Sequence, residues 1–347
     1  RQAARFDWLD RPDPAAVERA EKLLITLGAL HPPRSEDDPR GGHGPDSDLT
    51  AIGRRMLRLP MHPRYSRMLV EAAERGCVPA AALCAALTSG RDLLVRLGRD
   101  DVHVREAREL FEASRESDFH TLMRAYQFAR NARFDMATCR RLGIHAQTAR
   151  QVEDTHRQLL AIAEREGLLP RGDAGRNPLD STPADASTEP APSERPGRTA
   201  PVSDPLALCL TAGFIDQLAV RKDAGTLDCR LSEGRTGTLV RESMVEAPML
   251  VAGALREVDG RHGRTTLLSL ATAVRPEWLR ELYPQHLSTR LACEVDRLHK
   301  RVAAIRETRF LDLPIHREHA KEIDPAEAGR ALADAFAAGW FELPQLD

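Results

Sequence analysis

The chain has 347 residues, of which 42% are hydrophobic and 29% are charged, and its 50 basic and 52 acidic side chains nearly cancel. This composition is typical of a globular protein, and the length favours two or three domains over one. The sequence contains no run of about 18 apolar residues, which excludes a membrane-spanning helix, and no leader with a cleavage site. Because it opens at Arg1 and not at a methionine, we interpret it as the C-terminal piece of a longer cytoplasmic protein.

A winged-helix-like domain is predicted for residues 1–95. The apolar side chains of residues 14–27 repeat at helical spacing. Residues 32–47 are polar and rich in glycine and proline, so we predict a mobile insert there. Short strands around Leu30 and Leu49, followed by further helices, complete the pattern of a winged helix.

Within this domain, one amphipathic helix stops at a proline and a second begins three residues later. Thr50 can cap the first helix, Pro60 ends it, and Pro63 suits the first turn of the next. Gly76 can supply the left-handed residue that closes the second helix. One apolar stripe is predicted on the second helix, with three arginines directed outward on the other side: Arg64, Arg67 and Arg75.

Residues 96–169 are predicted to form a helical bundle. Phe119, Met123 and Tyr126 share one face at helical spacing and are expected in the core, as is Phe128. Between Ala51 and Leu160 the chain carries nineteen basic and thirteen acidic residues, a modest positive excess. The helical part therefore carries what little charge bias the protein has.

The second half of the chain changes in character. Residues 170–204 are dominated by small and polar residues and cannot bury enough apolar surface to offset their ordering, so we predict a disordered linker. Residues 205–284 start with a short helix and continue with four or five strands of period two, separated by turn signals. This favours an OB-fold-like antiparallel β-barrel. Residues 285–347 are predicted to form a small α/β extension, which makes the fold class α+β and multidomain.

Common catalytic motifs are absent. The sequence has no phosphate-binding loop of the G-x-x-x-x-G-K-[ST] type, no nucleophile elbow and no evident catalytic triad. Its six scattered cysteines favour buried thiols in a reducing cytosol over a disulfide framework. His316 and His319 come nearest to a ligand pair, but no third ligand lies at a suitable spacing. We therefore predict neither a metal site nor an active site within this chain.

Basic side chains remain as candidate functional groups, because guanidinium groups neutralise phosphates and stack on bases. For each of them a solvated helix face or loop charge is the more common role, and that interpretation stays open for every one. The candidates for nucleic-acid binding are Arg64, Arg67, Arg124, Arg130, Arg133, Arg150, Arg221, Lys222, Arg235, Arg241 and Arg264.

Several segments, taken in order, resemble the region that follows the motor domains of DEAH-box RNA helicases. The shared sequence motifs are Leu-Gly-Ala-Leu at 27–30, Leu-Thr-x-x-Gly-Arg at 49–54 and Leu-Pro-x-x-Pro-Arg at 59–64. The sequence at 145–160 is similar to the last helix of that family's ratchet-like bundle. The sequence at 212–245 looks most like the barrel of the bacterial HrpB-type branch.

The resemblance implies that the chain is the accessory part of an ATP-dependent RNA helicase. In that family two RecA-like domains hydrolyse ATP and pull single-stranded RNA. The winged helix, the bundle and the OB-fold close the other side of the RNA channel, and the winged helix hinges against the motor. We therefore expect ATP and Mg²⁺ on upstream RecA-like domains, no cofactor and no hydrolysis on this chain alone, single-stranded RNA or DNA as partner, and a monomer.

Two other hypotheses remain open from the sequence. The chain could be a non-enzymatic regulator whose winged helix binds duplex DNA, which Arg54, Arg55 and Arg58 slightly favour. It could also be a protein-docking module, in which the barrel recruits a partner and the arginines only confer solubility.

Overall fold

The computed structural model describes most of the chain. The predicted insert, apart from Pro32, and the predicted linker, apart from its two end residues, lie outside the described part. No helix within that part is long and apolar enough to cross a membrane. The described residues are 6–32, 49–98, 101–111, 114–170, 204–260, 263–296, 301–320 and 324–340.

The first unit has the winged-helix pattern that the sequence predicted. Helix α1 (Pro14–Thr26) is capped by the carboxylate of Asp13. Gly28 follows it with a φ of +73°, a conformation that glycine adopts without strain. Leu30 and Leu49 then form a short antiparallel bridge.

A second helix packs tightly against the end of the first. Helix α2 (Ala51–Leu57) is capped by Thr50, whose Oγ1 accepts the N–H of Gly53 at 2.9 Å. A Cβ added to Gly53 would lie 2.1 Å from the carbonyl oxygen of Ala29. The close approach of these two backbones therefore requires glycine at this position.

The proline corner leads into the most deeply packed helices of the chain. Helix α3 (Pro63–Glu74) is capped by His62, whose Nδ1 accepts the N–H of Arg64 at 3.3 Å. Gly76 closes the helix with a φ of +67°, as predicted. Helix α4 (Val78–Thr88) follows, and its alanine-rich sequence lets it lie buried on nearly all sides.

Four more helices complete the bundle. Tyr126 is buried as predicted, together with Val152 and Leu160 of the last helix. The prediction that Phe128 belongs to the core is wrong: it is 44% exposed and packs edge-on against Phe111 at a ring distance of 5.4 Å. The helices are α5 (Val102–Arg108), α6 (Asp118–Asn131), α7 (Met136–Arg141) and α8 (Ala146–Arg165).

A closed five-stranded barrel follows helix α9 (Pro205–Gly213). The strand order is β1-β2-β3-β5-β4; β3 pairs with β5 in parallel, and β1 closes the barrel against β4. Gly225 and Gly234 have positive φ in the two hairpin turns, which explains the glycines in those turn signals. The strands are β1 (Leu218–Arg221), β2 (Asp228–Leu231), β3 (Thr236–Leu239), β4 (Met249–Gly260) and β5 (Gly263–Ala273).

The last part is a small α/β unit, as the sequence predicted. Helix α10 (Pro276–Leu282) leaves the barrel and leads into an antiparallel sheet of three strands in the order β6-β7-β8. Asp324 caps the final helix. The elements are β6 (Leu287–Asp296), β7 (Arg301–Phe310), β8 (Leu313–His319) and α11 (Pro325–Ala337).

One hydrophobic core connects these parts. It extends from Leu27 of the winged helix through the bundle and α9 to Phe310 and Leu313 of the last sheet. A smaller cluster fills the interior of the barrel. Because burial of apolar surface is the main favourable term in folding, the units are expected to be stable together and not as separate modules.

Candidate nucleic-acid interface

The eleven candidate residues do not form one site. Seven of them have exposed side chains, and these lie on the bundle and on the barrel. Four lie partly or wholly inside contacts between elements: Arg64, Arg67, Arg130 and Arg221.

Arg64 joins the winged helix to the barrel. Its Nε and Nη2 donate to the two carboxylate oxygens of Asp216 at 2.9 and 2.6 Å. Asp216 lies in the 3₁₀ turn that precedes β1. Such a bidentate pair fixes both position and angle between two elements. The prediction that Arg64 points outward is wrong, because α9 and the barrel cover that side of α3.

Arg67 is the clearest correction. It is only 2% exposed, and it donates to Glu71 Oε2 at 2.9 Å beneath the ring of Tyr283. Arg75, also expected to point outward, donates to Glu71 and to Glu281 at 2.9 and 2.6 Å. The winged helix, the bundle and the barrel are together called the hub below. The α3 arginines stabilise contacts within this hub, and Arg67 is too deeply buried to contact a strand.

Arg130 belongs to a polar cluster between α6 and α8. Its Nε lies 3.6 Å from Glu153, which also accepts hydrogen bonds from Tyr126 and from Arg157. Burial alone would raise the pKa of Glu153, but the Tyr126 hydrogen bond and the charges of Arg130 and Arg157 bring it below its usual value. This cluster ties the two longest helices of the bundle together through their side chains.

Arg221 is a structural residue of the barrel. Its guanidinium group donates to the backbone carbonyl of Ala247 at 3.1 Å, to that of Val245 at 2.5 Å and to that of Thr226. Three such bonds satisfy carbonyls that would otherwise lack partners in two loops. Little of the donor capacity of Arg221 is left for a phosphate.

The N-terminus of α6 fixes the bundle to the barrel. Asp118 accepts hydrogen bonds from Ser243 Oγ, Met244 N and Ala271 N at 2.8 to 3.0 Å. Burial raises the pKa of Asp118, and these three bonds act in the opposite direction. The Oγ of Ser117 lies 2.8 Å from the Oγ1 of Thr272. The two units therefore have a defined relative placement, which the sequence left open.

Three of the exposed candidate residues lie on the bundle. Arg124 and Arg133 form no ion pair with any described residue. Arg133 and Phe134 make a left-handed turn after α6, and Arg150 of α8 donates to the Phe134 carbonyl at 3.3 Å. Arg133 and Arg150, distant in sequence, are thus brought together by this turn.

A groove of about 950 Å³ lies near this region, between the start of α5, α7, the first turns of α8 and the segment 91–97. Its lining combines apolar side chains with arginines, amides and one acidic residue, Asp101, and no side chain caps the first turn of α8. Arg91 and Arg140 line this groove, but the sequence analysis did not select them as candidates. Their only distinctive feature in the sequence is their position close to the end of a predicted helix. The lining includes Arg91, Arg140, Gln147, Val95, Met136 and Ile144.

The cations on the barrel differ in availability. Lys222 and Arg241 are exposed and form no ion pair within the described residues. Arg235 donates to the Ser232 carbonyl at 3.1 Å and keeps an exposed side chain. Arg264 lies 3.2 Å from Glu257 and 3.5 Å from Asp259, so its charge is already compensated.

Comparison with known families gives matches over residues 20–127, about a third of the chain. Residues 20–61 match the winged-helix helicase-associated domain (HA2), and residues 62–127 match the ratchet-like helicase-associated domain (HA2). Residues 20–127 thus match both helicase-associated domains, and the chain is similar to the C-terminal region of DEAH-box helicases. The family descriptions divide the winged helix from the ratchet at residue 61, and our boundary at residue 95 stays a proposal.

Full-length relatives are much longer than this chain. It is 38% identical over 93 residues to the probable ATP-dependent RNA helicase DHX37 of Homo sapiens, which is 25% of this chain and 8% of that protein. It is 23% identical over 337 residues to the ATP-dependent RNA helicase HrpA of Escherichia coli, which is 93% of this chain and 23% of that protein. The chain thus spans less than a quarter of either relative.

A solved structure extends the similarity to the whole fold. The crystal structure of the E. coli DExH-box NTPase HrpB matches with a TM-score of 0.51 and 17% identity, covering 99% of this chain and 35% of that one. At this identity the likeness concerns the fold alone. Because the match covers nearly the whole chain, it includes the barrel and the C-terminal sheet, and the fold of the described parts is similar to that of the HrpB structure.

Proposed function

We propose that this region forms one wall of a single-stranded RNA channel in an ATP-dependent helicase, and that its winged helix hinges against an upstream RecA-like motor. One observation carries the proposal. The winged helix, the bundle and α9 share a single core, reinforced by Arg64–Asp216 and by the bonds of Asp118. The exposed arginines therefore lie on a single packed unit, and a motor domain attached to it could move this unit as a whole.

The outer surface of the bundle suits a single strand. Arg124, Arg133 and Arg150 can each neutralise a phosphate. The groove beside them is lined by both apolar and polar side chains, a combination that accepts unstacked bases better than a paired duplex. Lys222, Arg235 and Arg241 of the barrel are candidate contacts farther along the strand.

The duplex-DNA regulator gains no support from the structure. The three arginines that favoured this hypothesis already have partners within the protein. Arg55 pairs with Glu74, Arg58 pairs with Glu166, and Arg54 donates to the backbone carbonyl of Leu49. Helix α3, which follows them, is largely buried by α4 and α9 and cannot enter a major groove.

Catalysis is assigned to the motor. ATP and Mg²⁺ are proposed to bind upstream RecA-like domains. This region would hold the RNA strand between successive cycles of ATP hydrolysis. The whole enzyme is proposed to be cytoplasmic and monomeric. The chain by itself is expected to show no ATP turnover with or without RNA. Robust hydrolysis by the isolated chain would refute this division of labour.

Fluorescence anisotropy with labelled oligouridylate and with duplex DNA of equal length tests the substrate class. We expect weak binding to the single strand, weaker binding to the duplex, and affinity that falls as salt rises. Preference for the duplex would favour the regulator, and salt-insensitive binding would argue against phosphate contacts.

The docking-module hypothesis calls for a barrel variant that leaves the fold intact. Arg221 is unsuitable, since its reversal would break three loop hydrogen bonds. Arg241→Glu is the better choice because its side chain is exposed and unpaired within the described residues. Unchanged RNA affinity of the full-length protein with Arg241→Glu would count towards docking, and a clear loss would count against it.

A further inference from the structure

Cys77 and Cys209 form a pair that the proposed function does not use. Cys77 is the N-cap residue of α4, and Cys209 lies in the middle of α9. Their Sγ atoms are 3.4 Å apart, although 132 positions separate them in the sequence. The contact exists because α9 packs along α3 and against α4.

The two thiols differ in access and in acidity. Cys77 is half-buried, whereas Cys209 is fully buried. The hydrogen bond between them lowers the pKa of the Cys77 thiol, with burial acting in the opposite direction. The same contact, together with burial, raises the pKa of Cys209. A reagent from solvent therefore meets Cys77 first, and Cys77 supplies the thiolate.

The remaining cysteines are arranged differently. Cys84 is buried with its Sγ 3.9 Å from the Sδ of Met123, and burial raises its pKa. Cys139 and Cys229 are buried as well, and Cys293 is half-buried. Within the described part of the chain, no other two cysteines are in contact.

We propose that Cys77 and Cys209 are a redox modification site at which a low-molecular-weight disulfide converts the two thiols into one intramolecular disulfide. The Cys77 thiolate attacks one sulfur of the reagent, which forms a mixed disulfide and expels one thiolate. Cys209 then loses its proton and attacks Cys77 Sγ, expelling the second thiolate. The protein gives up two electrons and two protons, and the reagent becomes two thiols.

Only a small movement is required for this chemistry. The sulfur atoms must approach by about 1.4 Å to reach a disulfide bond length of about 2.05 Å. The new bond would link the start of α4 to α9 and close a loop of the chain that includes residues 171–203. Oxidation would thereby link α9, the helix that precedes the barrel, covalently to α4 of the helical part.

A native peptide map provides the test. The wild-type chain is incubated with oxidised glutathione, blocked, digested with trypsin without reduction and analysed by mass spectrometry. We expect a reducible link between residues 76–91 and 199–221, formed in the folded protein. Because 76–91 also contains Cys84, fragmentation must assign the bond to Cys77, and the matched control Cys84→Ser must keep it.

Two variants distinguish the order of events. Cys209→Ser should stop at a glutathione adduct on Cys77, and Cys77→Ser should give neither the cross-link nor an adduct on Cys209. The oxidised wild-type chain should melt about 5 °C higher than the reduced chain, and dithiothreitol should reverse the shift. Circular dichroism of the reduced variants verifies their folding. If a variant does not fold, the tryptic peptide map of the wild-type chain is sufficient to test the proposal.

The proposal is overturned if native wild-type protein gives no Cys77–Cys209 link while glutathione reacts only at Cys293. It is equally overturned if the link forms only after unfolding in urea. RNA binding enters none of these measurements, so their failure leaves the proposed function standing, and the reverse holds too.

Discussion

At the residue scale, the arginines of α3 show how a surface pattern can be misleading. Arg64, Arg67 and Arg75 lie off the apolar stripe of their helix, which ordinarily means solvent. Each has instead a carboxylate partner brought close by the fold, and Arg67 also lies against the ring of Tyr283. Buried charges of this kind are tolerated when paired and hydrogen-bonded.

Removal of the Arg67 guanidinium group should destabilise the protein without a specific effect on RNA. Arg67→Ala leaves Glu71 in a half-buried site without this partner, and we expect a loss of about 3 kcal/mol in the free energy of unfolding. Urea denaturation measures it, with exposed Arg290→Ala as control. A change below about 0.5 kcal/mol would mean that the pair contributes little.

Gly53 is a second position where a single atom matters. Gly53→Ala places a Cβ against the Ala29 carbonyl, and the required shift should cost about 2 kcal/mol. Gly329→Ala, on α11 with open space around it, should instead gain up to about 1 kcal/mol. Thermal melts of the two variants should move in opposite directions, and a neutral Gly53→Ala would contradict the tight contact.

At the element scale, the start of α6 and the contacts between α6 and α8 determine how the bundle is held. Asp118 is the first residue of α6, and its carboxylate accepts hydrogen bonds from the barrel loop at Met244 and from Ala271 of strand β5. Tyr126 and Arg130, farther along α6, meet Glu153 of α8. The bundle therefore depends on two carboxylates that a sequence pattern could only classify as polar.

Loss of the Asp118 carboxylate should loosen the junction of bundle and barrel. Asp118→Ala leaves the N–H groups of Met244 and Ala271 unsatisfied, at an expected cost of about 3 kcal/mol. Asp135→Ala, which removes an exposed cap of α7, is the matched control and should cost less. Equal losses in urea denaturation would show that the junction contacts add nothing beyond helix capping.

Glu153 should make stability depend on pH. Its pKa in the folded protein lies below the unfolded value of about 4.3, so its contribution is complete above that pH and is lost as pH falls through the folded pKa. Glu153→Gln should be less stable than wild type near neutral pH, and the difference should shrink towards about pH 3. A constant difference between the two urea midpoints would contradict this assignment.

At the scale of the whole molecule, local signals and long-range contacts explain what sequence analysis could predict. Caps, prolines and turn glycines lie next to the elements they define, so the cap at Thr50, the proline corner before α3 and the barrel strands were predictable. The partner of Arg64 lies 152 residues away, and only the packed fold brings the two together. The same holds for the groove beside Arg140, whose lining comes from three segments.

The salt dependence of RNA binding tests most directly whether this hub holds a strand through its exposed arginines. The variant Arg124→Gln/Arg133→Gln/Arg150→Gln is compared with wild type and with Arg19→Gln/Arg290→Gln/Arg330→Gln, which loses the same charge from exposed positions elsewhere. We predict that the first variant binds oligouridylate more weakly and that its slope of log affinity against log salt falls by about 2. The control should keep at least most of the wild-type slope. Equal slopes for all three proteins would contradict the account.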